Sequence, residues 1–421
     1  MKNNISSPKN LLARLFSLHL SGRKGYQQKL FYNLLVLLAL ISTVAVSITW
    51  ANHTSQAGGN LSLLTNLLTT ENVRNTVAVA GGESTGSATE TRTDPMAPRE
   101  EDITIIGVGD VMLGHRVAPF ISKYGISYPF ATVREILQGA DITFCNLEAP
   151  FGTKGQPVRD KEYTFRVDPV AVGSLTYGGI DVVSLANNHS LDYGPEALME
   201  TLSLLDKAQI AYAGAGPDLS AARRPALFSA RGIKVAFLAY SNTYPIEFYA
   251  TRSRPGTAAG EDGFIAQDVK EASRISDLVV VSFHWSSEYR TTPKDYQIAK
   301  ARIAIDNGAD LVIGHHPHVL QGFEVYRGKL IAYSLGNFVF GAYNPNYKDS
   351  LILKVIADRG GPKRAVLIPI SVDNFKHHFQ PRILTGDEAG RVLRDVKKLS
   401  EGLGTRVSIE GDTGVIYFEK A

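Results

Sequence analysis

The segment Leu311-Val312-Ile313-Gly314-His315-His316-Pro317-His318 joins a short apolar run directly to three histidines. A run of branched aliphatic residues that ends at glycine is typical of a buried β-strand. The imidazole rings therefore follow the carboxyl end of a strand, which is where open α/β sheets bind their ligands. We predict that His316 and His318 bind a metal ion, and we interpret His315 as a neighbour of that site.

Five more apolar runs of the same kind precede this segment. They cover residues 103–108, 142–145, 181–185, 235–240 and 278–283. Polar residues of ligand type follow five of the six runs: Asp110, then Asn146 and Glu148, then Asn188 and His189, then His284, and last His316 and His318. Because ligands bind beyond the carboxyl ends of strands in such sheets, these residues are expected to meet despite their distance in sequence.

Segments of helical type lie between the predicted strands, at 129–139, 195–208, 266–276 and 293–307. Hairpin strands are expected at 324–334, 350–357 and 365–372, and a last helix at 387–402 before a final strand. Strands that alternate with helices predict an α/β domain.

The candidate side chains offer carboxylate, amide and imidazole groups, a mixture that suits Mn²⁺, Zn²⁺ or Fe²⁺. The single cysteine, Cys145, rules out a site built from several thiolates. One divalent ion, or two about 4 Å apart, would polarise a phosphoryl or acyl oxygen and activate a water molecule. Each of these residues alone also fits a turn cap or a hydrogen-bonded core group, so the prediction rests on their joint occurrence.

The composition excludes one class of partner. The chain has 421 residues and a formal net charge of only +3. Domains that bind nucleic acids show a strong basic excess or a basic stripe. We therefore expect no nucleic-acid partner.

The N-terminus predicts a single-pass location in the cell membrane. Residues 1–29 carry basic but no acidic side chains, and residues 30–50 form an uncharged apolar run that is long enough to cross a bilayer. The basic tail should stay in the cytoplasm, which places the rest of the chain outside it. A signal anchor is favoured over a cleaved signal peptide because the run is long. Residues 51–100 are rich in Gly, Ser, Thr and Asn, and we interpret them as a flexible linker.

The motifs at the strand ends together resemble the CapA family of capsule or poly-γ-glutamate biosynthesis proteins. The resemblance is carried by residues 109–114 (GDVMLG), 146–148 (NLE), 186–189 (ANNH) with Asp192 and Gly194, 314–321 (GHHPHVLQ) and 333–338 (YSLGNF). It implies a four-layer α/β/β/α sandwich of metallophosphatase type at 101–385. One N-terminal transmembrane helix precedes this domain, and a C-terminal extension at 386–421 is expected to pack on it.

The resemblance also implies roles for single residues. Six positions match metal ligands of the metallophosphatase superfamily: Asp110, Glu148, Asn188, His284, His316 and His318. His189 matches the catalytic proton donor, and Asn146 is the weaker candidate for the position given to Glu148. Met112 stands where phosphoesterases usually have a metal-binding histidine, which argues against ordinary phosphodiesterase activity.

For a protein that resembles CapA, the implied substrate is an anionic γ-linked glutamate polymer, and the implied partners are membrane synthase subunits. Arg166 is predicted to pair with a polymer carboxylate, and Asn146 is predicted to contact the substrate. Three functions stay open: a metal-dependent hydrolase or transferase, a non-catalytic accessory protein for polymer binding or export, and a phosphoesterase. The presence of His189 favours the first over the second, and Met112 disfavours the third.

Overall fold

The structure is a computed structural model and describes residues 102–418. Two β-sheets form the centre of this part of the chain. The strands are β1 (Ile103–Val111), β2 (Ile142–Leu147), β3 (Val182–Ser184), β4 (Ala211–Ala213), β5 (Ala215–Gly216), β6 (Ala226–Ala230), β7 (Ile233–Asn242), β8 (Gly256–Thr257), β9 (Leu278–Trp285), β10 (Leu311–His315), β11 (Phe323–Tyr326), β12 (Lys329–Ala332), β13 (Asn337–Val339), β14 (Asp349–Asp358), β15 (Gly361–Ser371), β16 (Arg382–Ile383), β17 (Ser408–Glu410) and β18 (Thr413–Tyr417).

Helices connect these strands and cover the sheets. They are α1 (Ala118–Tyr124), α2 (Arg134–Gln138), α3 (Val172–Gly178), α4 (Gly194–Lys207), α5 (Leu219–Ala222), α6 (Asp262–Ala272), α7 (Asp295–Asp306), α8 (Asn374–His377) and α9 (Gly386–Glu401). Short 3-10 helices span Tyr128–Phe130, Pro169–Ala171, Ile246–Phe248 and Pro345–Tyr347.

The larger sheet has the strand order β17-β18-β15-β14-β1-β2-β3-β4, with β13 paired to β1 and β16 paired to β15. The smaller sheet has the order β11-β12-β10-β9-β7-β6, and β5 and β8 form a separate pair. Strands β1 to β4 run parallel to one another in the first sheet, as do β7, β9, β10 and β12 in the second. The parallel strands of each sheet therefore present their carboxyl ends at one edge.

Apolar side chains form three large buried clusters, one between the two sheets and one between each sheet and the helices that cover it. Ile105 and Leu353 of the larger sheet share one buried cluster with Val280 and Ile313 of the smaller sheet. A second cluster joins the other face of the larger sheet to α4, and a third joins the other face of the smaller sheet to α6 and α7. Helices thus lie outside two sheets that face each other, as expected when each element buries one apolar face. The predicted mixed α/β class is confirmed.

Most predicted elements agree with the structure to within a few residues, but the single helix expected at 129–139 is wrong. The chain forms a 3-10 turn at Tyr128–Phe130 and then only the short helix α2. Phe130 is fully buried and its ring lies 6.1 Å from that of Phe338. Tertiary packing has therefore overridden the helical pattern of the segment.

The C-terminal residues contribute to the larger sheet. Strand β18 pairs with β15, and the apolar face of α9, including Val392 and Val396, enters the cluster between the sheets. The tail, membrane span and linker predicted at 1–29, 30–50 and 51–100 lie outside the described residues. Between residues 102 and 418, no helix combines the length and the apolar character needed to cross a membrane.

Candidate metal centre

Asp110, at the end of β1, lies at the middle of a buried group of ligand-type side chains. Its Oδ1 atom accepts a hydrogen bond from Asn146 Nδ2 at 2.9 Å and lies 3.1 Å from His315 Nδ1. Its Oδ2 atom accepts a hydrogen bond from the backbone N–H of His316 at 3.2 Å and lies 3.2 Å from His318 Nδ1. The end of β1 in the larger sheet is thus in contact with the histidines that lie at and after the end of β10 in the smaller sheet.

A second carboxylate, Glu148, lies in the same buried group. Ligand atoms of Asp110, Glu148 and His284 all lie within 4.8 Å of one another. Asn146 Nδ2 lies between them, 2.9 Å from Glu148 Oε1 and 3.2 Å from His284 Nδ1. The other ring nitrogen of His284, Nε2, lies 2.8 Å from Asn188 Oδ1. The five residues come from strands or loops of both sheets, as the sequence pattern predicts.

The backbone has special conformations where it delivers these side chains. The register of β1 shifts on both sides of Asp110, and such bulges often redirect a side chain beside a functional site. A side chain at Gly109 would place its Cβ 1.8 Å from the carbonyl oxygen of Gly336. His316 and His318 have φ angles of 89° and 59°, a left-handed conformation that is costly for residues other than glycine. The fold therefore holds both histidines in a strained backbone.

His189 lies beside this group and is oriented by Asp192. The His189 Nδ1 atom lies 2.8 Å from Asp192 Oδ2 and 3.1 Å from Lys161 Nζ, and because a carboxylate accepts, Nδ1–H donates to Asp192. Lys161 donates to the carbonyl oxygen of Asn188 at 2.5 Å and to Asp192 Oδ1. The backbone N–H of Phe165 also donates to Asp192, at 2.7 Å. Asp192 therefore fixes both the tautomer and the position of the His189 ring.

The two carboxyl groups differ in pKa. Burial by itself would raise the pKa of Asp110, but hydrogen bonds and attraction from His315 and His318 outweigh it and hold that pKa well below the ordinary value. Burial, together with repulsion from Asp110, raises the pKa of Glu148 well above the ordinary value. The two shifts therefore act in opposite directions, favouring the carboxylate form of Asp110 and the neutral acid form of Glu148.

The histidines also titrate differently from one another. Burial and the neighbouring His316 lower the pKa of His284 well below its usual value, and burial with His318 lowers the pKa of His316 to about 3. Burial would lower the pKa of His318 too, but its contact with Asp110 raises it. Burial lowers the pKa of His189 against the attraction of Asp192. Imidazoles that are kept neutral are the form in which histidine binds a metal.

Unpaired buried atoms provide a direct test of whether these residues fit a metal ion. Glu148 Oε2, His315 Nε2 and His316 Nδ1 are buried without a hydrogen-bond partner. Such orphaned atoms are rare, because burying an unpaired polar atom costs about 1–3 kcal/mol. Carboxylate oxygens and neutral imidazoles converging in this way fit a divalent cation of the Mn²⁺, Zn²⁺ or Fe²⁺ type.

Two residues singled out in the sequence lie apart from this group. The Arg166 guanidinium donates to the carbonyl oxygen of Thr153 at 3.3 Å and stacks 4.4 Å from the ring centroid of Tyr193. Met112 is fully buried in the apolar cluster between the larger sheet and α4. Its thioether therefore belongs to the core.

Two residues near the centre, His315 and Lys161, were missed or undervalued from the sequence. His315 contacts Asp110, although the sequence led us to interpret it as a neighbour. Its register partner in β9 is His284, but strand pairing cannot be derived from one sequence. Lys161 contacts the loop of Asn188 and Asp192. No periodic pattern surrounds Lys161 that would have distinguished it from a surface lysine.

Comparison with known proteins identifies the family. The family model described as bacterial capsule synthesis protein PGA_cap matches residues 104–342. Capsule biosynthesis protein CapA of Bacillus anthracis is 32% identical over 318 residues, covering 73% of this chain and 77% of that protein. PGA biosynthesis protein CapA of Bacillus subtilis is 33% identical over 295 residues, covering 69% and 77%.

A solved structure, NAD nucleotidase of Haemophilus influenzae, is more distantly similar, with 13% identity, coverage of 70% of this chain and 62% of that chain, and a TM-score of 0.39. The sequence matches, in contrast, extend over more than half of the chain and include every strand end of the candidate metal centre. The chain belongs to the bacterial capsule synthesis protein family PGA_cap, as its resemblance to CapA indicated.

Proposed function

We propose that this protein is a membrane-anchored, extracytoplasmic member of the CapA group, with a metal-dependent hydrolase or transferase site that acts on poly-γ-glutamate or a related anionic polymer. The observation that carries the proposal is the set of unpaired ligand atoms on Glu148, His315 and His316, buried beside the oriented ring of His189. A purely structural protein would gain stability by replacing such atoms with apolar groups. Membership of a capsule synthesis family supports the polymer as substrate.

The metal would be held by Asp110, Glu148, Asn188, His284, His316 and His318. A bound divalent ion polarises an acyl oxygen and lowers the pKa of a coordinated water. The chain itself supplies the charge balance, because Asp110 is ionised while Glu148 and His318 can lose protons. The side-chain amide of Asn146 donates to both Asp110 and Glu148 and so lies between the two carboxyl groups.

His189 would move the proton. Its Nδ1–H is held by Asp192, and its lowered pKa leaves Nε2 unprotonated at neutral pH. A neutral imidazole in this tautomer accepts a proton at Nε2 from the water that attacks the γ-glutamyl carbonyl carbon, and it returns that proton to the departing nitrogen as the amide C–N bond breaks. In a transfer reaction an incoming amine replaces the water: it gives its proton to Nε2 as the new amide bond forms, and the departing amine takes that proton as the old bond breaks.

The polymer and the membrane complete the proposal. A chain anchored through residues 30–50 would hold the domain beside membrane synthase subunits, where a growing polymer emerges. Arg166 keeps an exposed guanidinium next to the Lys161–Arg166 loop, so it would meet a polymer carboxylate outside the metal centre. Its packing on Tyr193 holds the guanidinium plane in place for a bidentate contact.

The test is polymer cleavage or transfer by the purified full-length chain loaded with Mn²⁺ or Zn²⁺, followed by the size distribution of the γ-glutamyl polymer. We expect the parent to change the polymer length and the His189→Ala variant to lose about 100-fold or more of that rate. His377→Ala is the matched control, since His377 lies in the short helix α8 away from the described contacts of Asp110. Equal rates for His189→Ala and the parent would exclude the catalytic role.

Two further outcomes separate the alternatives. Binding of the polymer without any change in its length would support an accessory protein. Turnover of aryl phosphates that depends on His189, with no turnover of the polymer, would support a phosphoesterase. Absence of any bound divalent ion by metal analysis and titration would contradict the metal centre itself.

A further inference from the structure

A second group of ligand atoms lies next to the first and includes a residue that no sequence motif drew attention to. Ligand atoms of Glu288, His316 and His318 all lie within 4.8 Å of one another. The rings of His284 and His316 have centroids 4.6 Å apart, so this group adjoins Asp110, Glu148 and His284. Two groups of potential ligand atoms therefore lie side by side.

The loop that carries Glu288 is fixed on both sides. The backbone N–H of Tyr289 donates to the carbonyl oxygen of Pro317 at 2.9 Å, which ties the loop to the histidine segment. Tyr296 donates to the carbonyl oxygen of Ser286 at 2.5 Å, and Gln321 donates to that of Arg290 at 2.8 Å. The position of Glu288 opposite the histidines is thus built into the loop.

The ligand atoms of Glu288, His316 and His318 have a spacing that suits binding of one shared ion. Glu288 Oε1 lies 4.0 Å from His316 Nε2, too far for a hydrogen bond but close to the spacing of two ligands that are each about 2.1 Å from one ion. His318 Nδ1 contacts Asn337 Oδ1 at 2.8 Å, which leaves its Nε2 as the ligand atom.

We propose that Glu288 is the carboxylate ligand of a second divalent-metal position completed by His316 and His318, beside the position held by Asp110, Glu148 and His284. The proposal rests on the metal-dependent site proposed above and extends its ligand set. Two imidazole nitrogens and one carboxylate leave coordination positions open for water or substrate.

The partial exposure of Glu288 places the second metal position closer to solvent than the first. The Glu288 side chain is 41% exposed, whereas those of Asp110, Glu148 and His284 are fully buried. The ion held by Glu288 therefore lies at the solvent side, where a polymer carboxylate or amide oxygen can reach it.

The experiment compares metal binding by the purified full-length parent with Glu288→Gln, Glu288→Asp and the control Glu401→Gln, an exposed glutamate at the end of α9. Isothermal titration with Mn²⁺ gives the number and affinity of the sites. Electron paramagnetic resonance of the Mn²⁺-loaded protein shows whether two ions are close enough to couple magnetically. Thermal unfolding without metal checks that each variant folds as the parent does.

We expect two Mn²⁺ ions and a coupled spectrum for the parent and for Glu401→Gln. Glu288→Gln should keep one ion, weaken the second by at least about tenfold and lose the coupling, and Glu288→Asp should restore part of it. If Glu288→Gln matches the parent in stoichiometry, affinity and spectrum, the role of Glu288 is overturned while the first metal position stands. If the parent binds no ion at all, both this inference and the metal-dependent function are overturned.

Discussion

The position of the His189 ring depends on Asp192, and Asp192 in turn forms an ion pair with Lys161. The Asp192 side chain is fully buried and that of Lys161 is 14% exposed. Removing one partner of such an ion pair leaves the other charge buried and unpaired, which costs about 3–5 kcal/mol.

We therefore predict that Asp192→Asn lowers the free energy of unfolding by about 3 kcal/mol, measured by urea denaturation. The double variant Lys161→Met/Asp192→Asn should be less destabilised than the sum of the two single variants, because it removes both charges. Additive effects within about 0.5 kcal/mol would show that the two residues do not act as a pair.

The opposed pKa shifts in the metal centre lead to a prediction about pH. The raised pKa values of Glu148 and His318 mean that, without a metal ion, both groups hold their protons to a higher pH than usual, whereas the pKa values of His284 and His316 are lowered. A metal ion binds the deprotonated forms, so binding must release protons. Affinity should therefore rise with pH across the neutral range and level off once both groups have lost their protons.

Titration of Mn²⁺ in two buffers with different ionisation enthalpies measures the number of protons released. We expect protons to be released on binding at pH 6.5, and fewer of them for Glu148→Gln, which has no proton to lose at that position. A heat of binding that is the same in both buffers would contradict this account of Glu148.

At the scale of single residues, the sequence predicted members of the metal centre that follow apolar runs and missed members that do not. Asp110, Glu148 and His284 follow predicted strands, and the structure brings all three together. Lys161 and Glu288 reach the centre from loops, and their positions depend on hydrogen bonds to residues distant in sequence. No local pattern encodes such contacts.

At the scale of elements, close contact with the segment that leads into β13 sets the position of the end of β1. The backbone N–H of Asp110 donates to the carbonyl oxygen of Gly336 at 3.1 Å, and a Cβ at Gly109 would lie only 1.8 Å from that oxygen. The absence of a side chain at Gly109 is therefore required for the position of the Asp110 carboxylate.

We predict that Gly109→Ala lowers the free energy of unfolding by about 3 kcal/mol and weakens Mn²⁺ binding, because the β1 end must move away from Gly336. Gly263→Ala in helix α6 is the matched control, since a Cβ there meets nothing within 4 Å. That control should be neutral or stabilise the protein by up to about 1 kcal/mol, because alanine favours helix. Equal stability of Gly109→Ala and the parent would rule out the tight contact.

Elements that pack locally were predicted well, and those set by distant contacts were not. Helix α4 at Gly194–Lys207 lies within one residue of the segment expected at 195–208, because its leucines repeat at helical spacing and all face the same cluster. The segment expected as a helix at 129–139 instead turns inward at Phe130 to meet Phe338. The partner ring is about 200 residues away in sequence, beyond the reach of any periodicity argument.

At the scale of the whole molecule, the α/β class followed from the alternation of patterns, but the sheet order did not. Strand β18 pairs with β15, so the last residues of the chain widen the sheet whose other end carries the early strands β1 to β4. The sequence led us to expect an extension that packs on the domain. Which strand it would pair with depends on the edge left exposed by the other strands, and a single sequence does not contain that information.

The whole molecule also includes the N-terminal residues outside the described range, and their sequence predicts where the domain works. Residues 30–50 carry no charge, and each arginine placed near the middle of a membrane span costs about 2.5–3.5 kcal/mol. We predict that the full chain stays in the membrane fraction after a carbonate wash, with its C-terminus open to added protease in intact spheroplasts. The variant Leu37→Arg/Leu40→Arg should lose both properties, while the control Gln56→Arg, in the predicted linker, should keep them. A parent chain that remains in the cytoplasmic fraction would contradict the anchor and remove the metal centre from the compartment in which a surface polymer is processed, whatever the affinity of Asp110 and its neighbours for a metal ion.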